Sequence, residues 1–139
     1  MKCVCENCKK DINNGILCHS YQSFIKLNDD KLKKIIKLDL SYEGLTSKYL
    51  NDNFINQLNK CTNLNRLYLS YNNIITIPKH IFNNLNKLIE LGLDHNKITI
   101  FTSNIFDSLV NLKELFLSNN ELLILPNNIF NKLVNLKEQ

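Results

Sequence analysis

The sequence predicts an α/β solenoid in which short parallel strands stack into a curved sheet, and two observations support this fold class. The first is an internal repeat, since Leu64, Leu88 and Leu112 lie 24 residues apart and begin three segments of nearly the same pattern. The second is the pattern itself, in which two leucines separated by one residue have the period of a strand. A fixed period of this length is typical of solenoids, where each repeat buries its apolar face against the next one.

The repeat boundaries follow from the apolar positions that recur. A longer first repeat covers residues 35–63, three equal repeats cover 64–87, 88–111 and 112–135, and a further repeat begins over 136–139. In the second repeat the recurring positions are Leu64, Leu67, Leu69, Asn72, Ile74, Ile77, Ile81, Phe82 and Leu85. A step this short leaves no room for a full helix after the strand, so we expect turns or 3-10 structure on the return.

The pattern L-x-x-L-x-L-x-x-N-x-L-x-x-L-P-x-x-I-F-x-x-L resembles that of the leucine-rich repeat family, over roughly the last three quarters of the chain. The resemblance implies a right-handed leucine-rich repeat solenoid, with parallel strands on the concave face and short helical or 3-10 turns on the convex face. It also implies a non-enzymatic module that binds a protein or peptide partner on the concave sheet.

The first repeat is longer because it contains an apolar stripe with helical spacing. The stripe consists of Tyr49, Leu50, Phe54, Leu58 and Cys61. Its spacing of three and four residues predicts a helix from about Asp52 to Lys60. At the end of that helix, Cys61 is expected to be a small buried apolar side chain.

An asparagine follows each of the later strands, at Asn72, Asn96 and Asn120, whereas Glu43 takes this position in the first repeat. We expect the three amides to form a ladder that satisfies backbone groups in the bend after each strand.

The chain is predicted to divide into an N-terminal cap, residues 1–34, and a repeat domain, residues 35–139. Tyr21–Leu27 is rich in residues that favour strands, and a turn cluster and renewed apolar alternation follow it. These features predict a hairpin over residues 21–40 that pairs with the edge of the first repeat, because the first strand of a solenoid otherwise leaves an unpaired ladder.

Four cysteines crowd the first residues of the chain. Cys5-x-x-Cys8 has the spacing with which two thiolates bind one zinc ion, and Cys18 with His19 can complete a tetrahedral site. Cys3 is the alternative fourth ligand. Two other interpretations remain open, namely a disordered tail with no bound metal and a disulfide-bonded cap like that of extracellular leucine-rich repeat proteins.

No stretch reaches the roughly 18 apolar residues of a membrane helix, and the opening residues contain no apolar core of a signal peptide. We therefore expect an intracellular, cytoplasmic protein with reduced thiols and no membrane partner. The net charge of +4 is only mildly basic, so no nucleic-acid partner is expected.

Strand residues that do not point inward are expected to line the concave face in four columns. The columns are Lys37, Arg66, Glu90 and Glu114; Asp39, Tyr68, Gly92 and Phe116; Ser41, Ser70, Asp94 and Ser118; and Tyr42, Tyr71, His95 and Asn119. The candidate partner-binding residues are Arg66, Tyr68, Tyr71, Glu90, Gly92, Asp94, His95, Glu114 and Phe116. Exposed aromatic side chains of this kind are enriched at binding hot spots.

Gly92 lies between Tyr68 and Phe116 in its column and carries the sharpest of these hypotheses. It either leaves a notch in which a partner reaches the backbone, or is a glycine tolerated at about 0.5–1 kcal/mol of strand stability.

Two further functions are weighed against the interaction module. One is a zinc-binding adaptor in which the cysteine-rich head binds metal and the repeats select a target. The other is an enzyme, which the sequence favours much less because it contains no G-x-S-x-G, phosphate loop or H-E-x-x-H motif. His95 beside Asp94 has no evident third partner.

The last residues, 136–139, begin a repeat without the polar cap that a solenoid end requires. Two explanations remain, a truncated relative of a longer protein and self-association through this open C-terminal end.

Overall fold

The structure is a computed structural model that describes residues 15–137 and the backbone of Lys9–Lys10. Within the described residues, six strands form one sheet in chain order. They are β1 (Lys9–Lys10), β2 (Ile16–Cys18), β3 (Ile35–Asp39), β4 (Arg66–Tyr68), β5 (Glu90–Gly92) and β6 (Glu114–Phe116). β1 is antiparallel to β2, and all the other pairs are parallel. The open parallel sheet confirms the predicted solenoid fold, whereas its right-handed sense stays a prediction.

The core lies directly behind the sheet, because one leucine of every repeat strand points inward at the same level. Leu38, Leu67, Leu91 and Leu115 are paired across β3 to β6, and all four are buried. Further back, the buried rings of Phe82 and Phe106 and the exposed ring of Phe130 stack with centroids 6.3 and 6.1 Å apart. The core therefore consists of columns that each repeat extends by one layer, as the period predicts.

The convex side is formed by short helices in the first repeat and by turns in the later ones. A 3-10 helix spans Ser47–Tyr49 and α3 spans Asp52–Asn59, which confirms the predicted helix. In the second repeat, hydrogen bonds from Ile81 N to Pro78 O and from Leu85 N to Phe82 O close tight turns of the 3-10 kind. The expected absence of full helices from the later returns is also confirmed across the described part of the chain.

The predicted hairpin over residues 21–40 is wrong, because two short helices occupy its first half. They are α1 (Tyr21–Phe24) and α2 (Asp29–Leu32). Ser20 and Asn28 cap them by accepting hydrogen bonds from backbone amides three residues ahead. Tyr21, Phe24 and Leu27 are all buried, and their spacing of three is a helical period that outweighs the strand propensity of the individual residues.

The strand that pairs with the first repeat is instead β2, which was not predicted from the sequence. It extends the parallel sheet by one strand beyond β3. Its two inward residues, Ile16 and Cys18, are buried. The division of the chain at residue 34 into a cap and a repeat domain stays a prediction.

The asparagine ladder is confirmed. Asn96 accepts a hydrogen bond from Ile74 N and donates to the carbonyl groups of Leu69 and Leu93. Asn72 and Asn120 make the equivalent bonds. Each amide thus joins two successive repeats at the bend that follows the strand.

A second asparagine ladder, which was not predicted from the sequence, runs along the other end of the strands. Asn63, Asn111 and Asn135 each donate to a carbonyl group of the preceding turn, at 2.6 to 2.9 Å. In the repeat between them, Lys87 Nζ donates instead to Asn63 Oδ1. The 24-residue spacing of these residues was a visible signal for this ladder.

The C-terminal end of the described solenoid carries exposed apolar side chains, among them Leu123 and Val134, which are 86% and 79% exposed. The predicted self-association through this end stays a prediction.

No helix within the described residues is long and apolar enough to cross a membrane. The intracellular location stays a prediction as well.

Candidate functional site

The predicted columns of the concave face are present in register. Lys37, Arg66, Glu90 and Glu114 are paired across β3 to β6, and so are Asp39, Tyr68, Gly92 and Phe116. The strand period alternates these residues with the buried leucines, so their side chains point away from the core. The sequence therefore placed the candidate residues on one face, but not the contacts between their side chains.

A groove of about 480 Å³ lies on the N-terminal half of this face. It is lined by His19, Lys37, Asp39, Ser41, Tyr42, Tyr68, Ser70, Tyr71 and Asp94. Only Tyr68, Tyr71 and Asp94 were among the candidate partner-binding residues. The lining leaves out Arg66, Glu90, Gly92, His95, Glu114 and Phe116, so this groove lies towards β2 and β3.

The most regular feature beside the groove is a column of stacked rings. The ring centroids of Tyr42 and Tyr71 are 4.4 Å apart, and those of Tyr71 and His95 are 4.1 Å apart. The three rings are nearly parallel, with interplanar angles of 14° and 9°. Tyr42 lies at the open end of the column and is 72% exposed.

A shared backbone conformation aligns this column. Tyr42, Tyr71, His95 and Asn119 have φ values of 60°, 56°, 53° and 56°, which is the left-handed region. A residue other than glycine adopts this region at a cost of about 1–2 kcal/mol. The bend after every repeat strand makes this turn, so each side chain leaves the sheet in the same direction.

Asp94 links the column to the floor of the groove. Its Oδ1 accepts a hydrogen bond from Ser70 Oγ at 2.5 Å, and its Oδ2 lies 2.9 Å from His95 Nδ1. Burial acts to raise the pKa of Asp94, but the bonds from Ser70 and His95 outweigh it and lower the pKa overall. Asp94 therefore remains an anion that holds the imidazole in place.

The hydrogen bonds also assign the tautomer of His95. With a proton on Nδ1 for Asp94, its Nε2 accepts from Asn119 Nδ2 at 2.6 Å. Ser70 donates to Asp94 and not to His95, so these residues do not form the Ser–His–Asp relay of a hydrolase. The arrangement orients side chains and provides no activated nucleophile.

Gly92 does not form the predicted notch. It is buried, and a Cβ atom added there would lie 2.8 Å from Tyr68 Cδ1 and 2.6 Å from Ser70 Oγ. The ring of Tyr68 thus lies against Gly92, and its hydroxyl donates a hydrogen bond to Glu90. A larger residue at this position would force the side chains of Tyr68 and Ser70 to shift, because they occupy the space that a Cβ atom would need.

The concave side chains Arg66 and Tyr68 of the second repeat already contact other residues of the same chain. Arg66 forms an ion pair with Glu90 at 3.4 Å, and Lys37 Nζ lies 5.4 Å from the centroid of the Tyr68 ring. Burial, together with the bond to Glu90, raises the pKa of Tyr68, so its hydroxyl stays a donor. Contacts within the chain therefore hold these side chains in place, whereas Tyr42 and Asp39 have fewer contacts.

The proposed metal ligands are only partly described. Cys3, Cys5 and Cys8 lie outside the described residues. Cys18 is buried in the core whereas His19 lines the groove, because successive residues of an extended chain point to opposite sides. The described residues contain no group of three potential metal ligands. The zinc site at Cys5, Cys8, Cys18 and His19 stays a prediction, and the structure places its last two residues on opposite faces.

Cys61 is buried as predicted. Burial raises the pKa of its thiol to about 12, and the neighbouring Cys18 contributes to this shift. Both thiols therefore belong to the core.

Five lining residues, Lys37, Asp39, Ser41, Ser70 and Tyr42, were predicted to lie in the concave columns but were not among the candidate partner-binding residues, and His19 was predicted to be a metal ligand. The position of His19 could have been predicted from the sequence. Ile16 and Cys18 alternate with the period of a strand, so His19, which follows, faces the concave side. Nothing in the sequence indicated how deep the groove is at each column.

Comparison with known proteins agrees with this fold. Residues 62–122 match a family model described as "Leucine rich repeat". The solved structure of a TLR13 complex with ssRNA13 is similar over 96% of this chain, with a TM-score of 0.68 and 26% sequence identity. This chain spans only 18% of the length of that TLR13 chain. Among curated proteins, no sequence is significantly similar to this one.

Proposed function

Because this chain is a leucine-rich repeat protein, we propose that it is a non-enzymatic interaction module that binds a protein or peptide on the concave face of its sheet. Leucine-rich repeat domains commonly serve as protein-binding modules. The observation that carries the proposal for this chain is the groove beside the stacked column of Tyr42, Tyr71 and His95.

The arrangement favours binding for an energetic reason. Side chains that are already held in place lose little conformational entropy when a partner binds, so more of the contact energy remains as affinity. Tyr71 is held between two rings, and Asp94 is held by Ser70 and His95. Aromatic side chains that are fixed but accessible are typical of binding hot spots.

A second ligand class is raised by the comparison, since the similar TLR13 structure contains a single-stranded RNA. The concave face of the present chain is poorly suited to a polyanion. Four carboxylates project from it, those of Asp39, Glu90, Asp94 and Glu114, against the cations Lys37 and Arg66 and against Lys137, which pairs with Glu114 at 3.6 Å. RNA affinity depends chiefly on neutralising phosphates, so the charges on this face favour a protein partner.

An affinity-capture experiment tests this function. Immobilised wild-type protein is compared with a concave variant carrying Tyr68→Ala and Tyr71→Ala, two residues that line the groove, and with a control variant carrying Ile100→Ala and Ile124→Ala. Ile100 and Ile124 are exposed apolar residues outside the concave columns, at 55% and 65% exposure, so the control removes comparable apolar surface elsewhere.

We expect proteins captured by the wild type to be lost with the concave variant and kept by the control variant. Urea unfolding of all three proteins verifies that each is folded before capture. The proposed function is refuted if the folded concave variant captures the same proteins as the wild type.

A further inference from the structure

We propose that the groove binds an arginine-containing basic segment of a protein partner, whose guanidinium group stacks on the open face of Tyr42 and pairs with Asp39. This inference rests on the proposed function, because it names the chemical class of the partner that the concave face binds.

The stacking position is defined by the end of the aromatic column. One face of the Tyr42 ring is covered by Tyr71 at 4.4 Å, and no other ring or cation of the described residues lies against Tyr42. The chain turns away into α1 at Tyr21, so β2 supplies no further layer to the column. A planar group can therefore add one more layer to the column on Tyr42.

A cation suits this position better than a neutral group. The faces of tyrosine rings attract cations, and the same sheet already contains one such contact, between Lys37 and Tyr68. Arginine suits it better than lysine, because the planar guanidinium stacks on a ring and still directs its N–H groups sideways to a carboxylate.

Asp39 supplies that carboxylate in the same groove. Its Oδ1 accepts a hydrogen bond from Ser41 N at 3.1 Å. No lysine or arginine within the described residues forms an ion pair with it. The second oxygen thus remains available for a basic ligand, although the carboxylate is half-buried.

The net charge of the concave face also favours a basic ligand. Its columns contain four carboxylates (Asp39, Glu90, Asp94 and Glu114) and two cations (Lys37 and Arg66), and Lys137 pairs with Glu114 at 3.6 Å, so the formal charge of the face is −1. The whole chain has a formal charge of +4, so the remainder carries +5. An acidic face on a basic molecule guides a basic segment to that face and keeps it from the rest of the surface.

Fluorescence anisotropy with labelled synthetic peptides tests the inference on the full chain. The probe is a short peptide in which arginine alternates with glycine, and the matched probes replace arginine with lysine or glutamate. A labelled single-stranded oligoribonucleotide tests the RNA alternative under the same conditions. The variants are Tyr42→Leu, Tyr42→Phe and Asp39→Asn, with Asp107→Asn as a control for the charge change on the convex return, where Asp107 is exposed.

We expect the arginine peptide to bind most tightly and the glutamate peptide not to bind. The Kd is expected to rise about two- to fivefold with Tyr42→Leu, which removes the ring, and to remain near the wild-type value with Tyr42→Phe. Asp39→Asn is expected to raise the Kd by up to about fivefold, and Asp107→Asn to leave it unchanged.

Three results overturn the inference. They are equal binding by wild type and Tyr42→Leu, equal weakening by Asp107→Asn and Asp39→Asn, and tighter binding of the oligoribonucleotide than of the arginine peptide. If the folded concave variant loses its protein partners while arginine-peptide binding is indifferent to Tyr42 and Asp39, the inference fails and the proposed function stands.

Discussion

Replacing Asn96 with leucine is expected to destabilise the fold by about 1–3 kcal/mol, mainly through one orphaned backbone amide. Asn96 makes four hydrogen bonds, but three of its carbonyl acceptors have a second donor. Leu69 O also accepts from Asn72 Nδ2, and Leu93 O also accepts from Asn120 Nδ2. Asp94 O also accepts from the backbone amide of Tyr71.

The exception is the amide of Ile74, whose hydrogen-bond partner is Asn96 Oδ1 at 3.1 Å. Ile74 is fully buried, so water cannot replace the lost acceptor. One unsatisfied buried amide costs about 1–3 kcal/mol. The leucine side chain offsets little of this, because the groups around it are polar backbone atoms that bind the Asn96 amide.

The same reasoning ranks the other positions of the ladder. Asn72→Leu is expected to cost more, because both Glu43 N and Leu45 N donate to Asn72 Oδ1 and the carbonyl of Leu40 depends on its Nδ2. Asn120→Leu is expected to cost least, because Asn120 is only partly buried and water can reach its partners.

Urea unfolding of the three variants gives these free energies, with the slope of the transition as a check that the unfolded state is unchanged. Amide hydrogen exchange supplies a local readout, since Ile74 N–H should lose protection in Asn96→Leu before the amides of β4. The reasoning is refuted if the three variants lose the same free energy of unfolding. It is also refuted if the Ile74 amide stays as protected from exchange in Asn96→Leu as in the wild type.

Three further predictions concern other parts of the molecule. Gly92→Ala is expected to destabilise the fold by about 1–3 kcal/mol, because its Cβ would displace Tyr68; in a Tyr68→Ala background, urea unfolding should show a smaller cost. Gln57→Leu is expected to cost about 1–3 kcal/mol, measured in the same way, because the buried Gln57 amide donates to the carbonyl groups at the end of α1, including Leu27 O at 3.0 Å. Burial raises the pKa of Cys61 from an ordinary 9.0 to about 12. The buried thiol therefore stabilises the fold fully below pH 9, and this stabilisation is lost as the pH rises towards 12, because the thiol of the unfolded chain ionises first. The difference in free energy of unfolding between wild type and Cys61→Ala should narrow over that range.

Each of these has a clear contrary result. An undiminished cost of Gly92→Ala without the Tyr68 ring would mean that another neighbour limits the space. A neutral Gln57→Leu would mean that water satisfies the end of α1. A stability difference for Cys61→Ala that does not change above pH 9 would mean that the thiol is not held in its neutral form.

The sequence alone determined the repeat, the inward leucines, the asparagine ladder and the membership of the concave columns. These features depend on periodicity, and a period fixes which way each side chain points once the strands are paired. The 24-residue step was therefore sufficient to place Arg66 beside Glu90, and Tyr68 beside Gly92, without any coordinates.

Only the tertiary structure decided which of those side chains are available to a partner. The ring of Tyr68 covers Gly92, and Arg66 pairs with Glu90, whereas Tyr42 keeps one ring face open. The structure also added β2 to the sheet, which brought His19 to the groove and buried Cys18. Such outcomes depend on side-chain contacts between strands and on the left-handed bend at Tyr42. A repeat pattern cannot encode them, because it is the same in every repeat while the contacts differ from one to the next.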